Sequence, residues 1–186
     1  MSDHPPTFLE GRTVRLRPLR ESDAEGPYPT WLNSMEVTAY NSHGVHPYTV
    51  ASARAFIESA TTREDRVILA IEDKASGRHI GNVSLQSIHP VFRSAELAIL
   101  VGDVGIYGKG AGTESCRLII EHGFSRLNLH RIHCGTFATN TGMIRIAHKL
   151  GMKEEGRRRE AAYKNGDYVD VIEFGLLRSE YMAQSK

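Results

Sequence analysis

The segment GDVGIYGKGAGTES, residues 102–115, sets Gly108, Gly110 and Gly112 at alternate positions, with Lys109 between the first two. Glycines spaced this way remove side chains where main-chain N–H groups must come close to an anion. A helix starting directly behind them adds roughly half a positive charge at its N-terminus. Lys109 supplies a further point charge, and a pyrophosphate is the natural occupant. A tight turn between strand and helix is the plain alternative, but this density of glycine with a lysine exceeds what a turn needs. Two phosphate motifs are excluded. The Gly108-Lys109 pair is preceded by Asp103 where a P-loop needs its first glycine, and followed by Gly110 where it needs Ser or Thr. A dinucleotide fingerprint starting at Gly108 needs glycine at the position of Thr113.

Other chemistry-bearing residues weigh less. His43 with His46, and His130 with His133, could begin a metal site, but no carboxylate or cysteine spacing completes one, so no metal is expected. The run Arg157 to Glu160 reads as a solvated strand edge, with an anion-facing role as the weaker alternative. Cys116 lies on the apolar face of its helix and is most simply buried.

The elements that must position the glycine loop follow from periodicity. Thr13 to Leu19 alternates apolar and basic residues, the period of a half-buried strand. ESDAEGPYPTWLN reads as a loose helix broken by Pro27 and Pro29, and Thr49 or Ser52 caps a helix carrying Ala55, Phe56 and Ile57. RVILAIED and HIGNVSLQSI are strands joined by KASG, and SAELAILVGD is a strand apolar on both faces, hence central. Behind the loop, Thr113 to Leu127 repeats Cys116, Ile119, Ile120, Gly123, Phe124 and Leu127 at helical spacing. RIHCGTFA is the next strand. NTGMIRIAHKLGM is a helix with Met143, Ile146, Ala147 and Leu150 on one side, ended by Gly151. A hairpin turning at Asn165-Gly166 closes the pattern. The class is mixed α/β (α+β), one domain over residues 1–186, with a strand–loop–helix–strand–helix unit at its centre.

Composition sets the surroundings. With 186 residues, 40% hydrophobic and 24% charged, the chain has the make-up of an ordinary globular domain. A formal net charge of +1 gives no polyanion-coating surface, so no nucleic-acid partner is expected. Cys116 and Cys134 form no redox or metal spacing, which suits a reducing compartment. The opening stretch MSDHPPTFLEG lacks the apolar core of a signal peptide, and the aliphatic run Leu97 to Val101 is too short to span a bilayer, so a cytoplasmic location without a membrane partner is expected.

YGKGAGTES, the preceding strand AELAILVGD and the following NTGMIRIAHKLGMKEEG together resemble the GNAT superfamily of acetyl-coenzyme-A-dependent N-acetyltransferases. The ribosomal-protein N-terminal acetyltransferase-like and spermidine acetyltransferase branches look nearest, and the likeness runs from GRTVRLRPLRESD to FGLLRSEY. It implies a mostly antiparallel central sheet of about seven strands flanked by about four helices. It also implies acetyl-CoA as co-substrate and an acceptor that is a small-molecule amine, an amino sugar or a peptide N-terminus. A homodimer is compatible with it.

Carried onto this chain, the resemblance puts the coenzyme A pyrophosphate on the main chain of Tyr107, Gly108, Lys109, Gly110, Ala111 and Gly112, with Thr113 starting the helix. Tyr107 stands where the family carries Gln or Arg. Main-chain groups of Ile99, Leu100 and Val101 would pair with the pantetheine arm like an added strand. Asn140 and Lys149 of the helix pattern N-x-x-x-I-x-x-x-x-K-x-G would contact the cofactor, although Asn140 or Thr141 also reads as a simple N-cap.

Amide formation from a thioester needs a neutral amine, a stabilised oxyanion and a leaving thiolate. A main-chain N–H near Val101 is the expected oxyanion donor. Glu96, which shares a strand face with Ala98 and Leu100, is the candidate base, since burial among apolar neighbours would raise its pKa. A structural ion pair with Arg93 or Arg131 is the competing account of Glu96, and His133 is a weaker candidate base. Many relatives carry an acidic tyrosine at the position of Ala147, which here reads as core packing. Tyr163 or no dedicated acid remain open. Trp31, Tyr40, His43, His46 and Tyr48 are expected to form the acceptor pocket. A non-catalytic acyl-CoA-binding sensor or scaffold is the alternative to an enzyme.

Overall fold

A computed structural model describes residues 7–184; residues 1–6, part of the stretch read above as lacking a signal-peptide core, and residues 185–186 lie outside it. The alternating segments become eight strands: β1 (Leu9–Glu10), β2 (Val14–Pro18), β3 (Val67–Asp73), β4 (His79–His89), β5 (Ser94–Val101), β6 (Arg131–Phe137), β7 (Lys153–Lys164) and β8 (Asp167–Leu177). The helices are α1 (Tyr28–Trp31), α2 (Val50–Thr62), α3 (Ala111–Ser125), α4 (Thr141–Lys149) and α5 (Arg178–Gln184). One sheet runs β1-β2-β3-β4-β5-β6-β8-β7. Every neighbouring pair is antiparallel except β5 with β6.

Seven strands sit where periodicity put them. The eighth, β1, has two residues paired Leu9↔Leu16 and Glu10↔Arg15, too few for any period to be legible. Helix α5, also not anticipated, packs Tyr181 on Phe124 with ring centroids 5.1 Å apart. Thr49 is the cap of α2, its hydroxyl accepting from the Ser52 amide at 3.1 Å. The Asn165-Gly166 turn has φ of 53° and 97°, the left-handed pair that a tight hairpin requires.

The chain covers the sheet from both sides. Ile119, Ile120 and Phe124 of α3, with Ala147 and Leu150 from α4 and its end, pack on Leu85, Leu97, Ile132 and Phe174. Burying one of the Ile, Leu or Phe side chains among them contributes about 1.5–3 kcal/mol. On the other face, Tyr28, Trp31 and Ile57 cover Ile68 and Ala70 of β3. This second layer is pinned by a buried ionic cluster. Arg17 donates to both carboxylate oxygens of Asp23 at 2.8 Å and through Nε to Glu72 at 3.1 Å. Burial pushes the Asp23 carboxyl up, but hydrogen bonds from Arg17 and the nearby His79 outweigh it and hold its pKa well below 3.8. The same layer reaches the end of β5, where the Trp31 ring fills the space a Cβ on Gly102 would need, 1.9 Å away.

Candidate active site

Strands β5 and β6 pair over only Ser94↔Arg131, Ala95↔Ile132 and Glu96↔His133. Beyond that point β5 stays on β4 as far as Val101, while β6 stays on β8 as far as Phe137. The two parallel strands stop pairing there although each continues on its other partner, and a wedge opens between them. Gly102 N donates to Ile80 O at 2.8 Å, so alternate residues Leu100, Ala98 and Glu96 turn their peptide groups to β4. The Leu100 carbonyl indeed lies against Gly81 of β4. Leu97, Ile99 and Val101 therefore face the wedge with theirs. On β6, Ala138 N donating to Asp170 O leaves Gly135 and Phe137 to face the wedge.

This corrects one expectation: Ile99 with both main-chain groups, and Val101 with its amide, are open to an added arm, and Leu100 is not. Among the described residues the Val101 carbonyl accepts one bond, from the Tyr107 hydroxyl at 2.9 Å. Burial first, and then Glu36 nearby, push the Tyr107 phenol above its ordinary pKa.

The open end of the wedge meets the glycine loop. Gly108 and Gly110 have φ of 77° and 94°, and a Cβ on either would meet nothing within 4 Å. Their conformation excludes most side chains, and their open side is free for a ligand. Gly110 is the N-cap and Ala111 the first residue of α3, two residues ahead of the expected start at Thr113. Among the described residues no hydrogen bond engages the amides of Gly108, Gly110, Ala111, Gly112 or Thr113. Five free donors at a helix N-terminus form an anion cradle.

The whole is a cleft of about 630 Å³. It brings together Glu96, Ile99, Leu100, Val101, Tyr107, Gly108, Gly110, Gly112, Thr113, Asn140 and Lys149 of the anticipated residues. Lys109 and Ala111 line instead the adjoining groove with Arg12, Lys74 and Arg78. Asn140 caps α4 through Oδ1, which accepts from Met143 N at 3.0 Å, and its Nδ2 has no partner among the described residues. The cap and the contact are thus compatible. Glu96 lies at the cleft's closed end but is solvent-exposed, so the burial expected of it is absent. It forms no ion pair with Arg93 or Arg131; Arg131 pairs with Glu155.

Of the five residues expected in the acceptor pocket, Tyr40 lines the cleft. Trp31 is buried against His79 and Gly102, and Tyr48 leans on Tyr28. Ala147 is fully buried, as core packing requires. Tyr163 meets Tyr168 edge-to-face near the hairpin tip and does not line the cleft. Val37, Asn41, Thr136 and Arg145 are among the lining residues that were not anticipated. For Arg145 a signal existed: it lies four residues before Lys149 on α4.

A cradle of free amides joined to a parted strand pair is a place for a phosphate-headed, strand-like ligand, and the sequence matches a family built for one. A model of the acetyltransferase (GNAT) domain matches residues 13–153. The chain belongs to the GNAT acetyltransferases. A Bacillus subtilis (strain 168) relative named Probable N-acetyltransferase YjcK is 30% identical over 179 residues, covering 93% of this chain and 98% of its own. The spermidine N(1)-acetyltransferase of Escherichia coli (strain K12) is 29% identical, over 94% of this chain and 91% of its own. Among solved structures, spermidine N-acetyltransferase from Vibrio cholerae in complex with CoA and spermine superposes with a TM-score of 0.82 at 24% identity, covering 91% and 98% of the two chains. This GNAT chain is accordingly an acetyl-CoA-dependent acetyltransferase with the family's mixed, mostly antiparallel sheet. Among its described residues no His, Cys, Asp and Glu group is placed to hold a metal, and no helix is long and apolar enough to cross a membrane.

Proposed function

We propose that this acetyltransferase moves acetyl to a primary amine by direct attack while both substrates are bound. Acetyl-CoA supplies the activated thioester. The amides of Gly108, Gly110, Ala111, Gly112 and Thr113 hold its pyrophosphate, and Ile99 and Val101 hold its arm in the wedge. Asn140 Nδ2 and Lys149 reach it from α4. The Ile99 and Val101 amides point into the space where an oxyanion forms, and one such donor is worth about 10²–10³ in rate. The amine enters past Val37, Tyr40 and Asn41 and meets Glu96. The carboxylate of Glu96, open to water, accepts the amine's surplus proton directly or through one water.

The observation that carries this reading is the wedge beyond Glu96 and His133 ending on a cradle of unpaired amides. The acceptor is a small amine or a peptide N-terminus, and the E. coli relative's name puts polyamines among the first to try. Free thiol is followed with acetyl-CoA and polyamines, peptides, amino sugars and aminoglycosides in turn. Thiol release on at least one class is expected, and Glu96→Gln lowers kcat/KM on it about 10²-fold. A flat response across all classes counts against acyl transfer to amines. A loss of under threefold in the variant assigns the proton to solvent.

A further inference from the structure

The inward positions of β6 are Ile132, Cys134 and Thr136, and Thr136 alone brings a hydroxyl. Thr136 is 6% exposed and lines the cleft. Among the described residues nothing hydrogen-bonds its hydroxyl, and this largely buried side chain borders the cavity. Its depth is set by register. Counting on from Glu96↔His133, Gly135 and Thr136 lie level with Ala98 and Ile99, just past the point where the strands part.

An arm whose phosphates rest at Gly108 to Thr113 runs down β5 from Val101, and at about 3.3 Å per residue the span to Ile99, the level of Thr136, is about 7 Å. Its far, sulfur-bearing end reaches the level of Thr136. Two nearby side-chain oxygens are already engaged. Tyr107 is bound to the Val101 carbonyl, the Asn140 oxygen caps α4, and α4 presents Ala147 with no polar atom.

We propose that the Thr136 hydroxyl donates a hydrogen bond to the sulfur of bound coenzyme A and stabilises it as it leaves. This rests on the reading of the cleft as the acetyl-CoA site. The amine lone pair forms the new C–N bond, and the C–S bond breaks with its pair passing to sulfur. The amine's surplus proton goes to Glu96 or water, and the thiolate is protonated by solvent after release. Thr136 keeps its own proton throughout.

The test titrates the thiol of CoA bound to wild type, Thr136→Val and Thr136→Ser by its thiolate absorbance, alongside the affinity of desulfo-CoA. A hydrogen bond to a charged group is worth about ten- to a hundredfold. The bound thiol's pKa is therefore expected about one to two units higher in Thr136→Val than in wild type, with Thr136→Ser near wild type. kcat falls in proportion, and desulfo-CoA affinity stays the same. Thr136→Ala serves equally should the valine variant not fold. A bound thiol that titrates alike with and without the hydroxyl overturns the proposal alone. A wild-type protein that binds neither CoA nor desulfo-CoA overturns the reading of the cleft as well.

Discussion

Gly110 is the loop position whose backbone demands most of its residue type, with the largest positive φ in the loop. At φ 94° an L-residue pays about 1–2 kcal/mol, and the amides behind it would swing off their target. Gly110→Ala is expected to lower the melting temperature modestly and raise KM for acetyl-CoA at least tenfold with kcat less affected. Steady-state kinetics beside a thermal melt separates the two. Such a residue was legible in sequence because the requirement is local: positive φ is written in residue type. Glu96 was legible only as a type in a place. Its exposure depends on what lies across the sheet, and nothing in residues 94–101 says that the face above it is open.

At the scale of elements, α4 has two tasks meeting at one residue. Asn140 caps the helix with its oxygen and offers its nitrogen to the cleft. Asn140→Ala removes both and is expected to cost about 1 kcal/mol in urea unfolding. Asn140→Asp keeps the cap and restores stability, yet KM for acetyl-CoA stays raised because the amide donor is gone and a negative charge faces the cofactor. Equal recovery of both quantities would make Asn140 a cap and nothing more. The helix itself was readable from its period and cap signals. The wedge beside it was not, since β5 and β6 each read as ordinary strands. Where their pairing stops is visible only in the sheet, in which β5 continues on β4 and β6 on β8.

For the molecule as a whole, the buried Arg17–Asp23–Glu72 cluster ties the layer above β3 to the sheet. Asp23 has its native pKa held below its ordinary 3.8, so the folded protein keeps this carboxylate charged where the unfolded chain takes a proton. Its stabilisation is fully present above about pH 4 and is lost as pH falls below that. Asp23→Asn is expected to cost about 3–5 kcal/mol at neutral pH, leaving the buried Arg17 guanidinium with Glu72 as its one remaining carboxylate in the cluster. The gap to wild type, read from urea midpoints, narrows as pH drops toward 3. A gap that does not change with pH would mean the loss is packing rather than charge.

The amino-acid sequence alone determined the seven long strands, the glycine loop with its helix, and the family, because dihedral preference, alternation and short motifs are decided among near neighbours. Tertiary structure alone decided which peptide groups point into the wedge, that Leu100 spends its own on β4, and that Trp31 packs in the core. It also decided that Thr136 meets the cleft opposite Ile99. Strand order and register fix those matters, and they are settled by pairings between segments tens of residues apart, which no local pattern encodes.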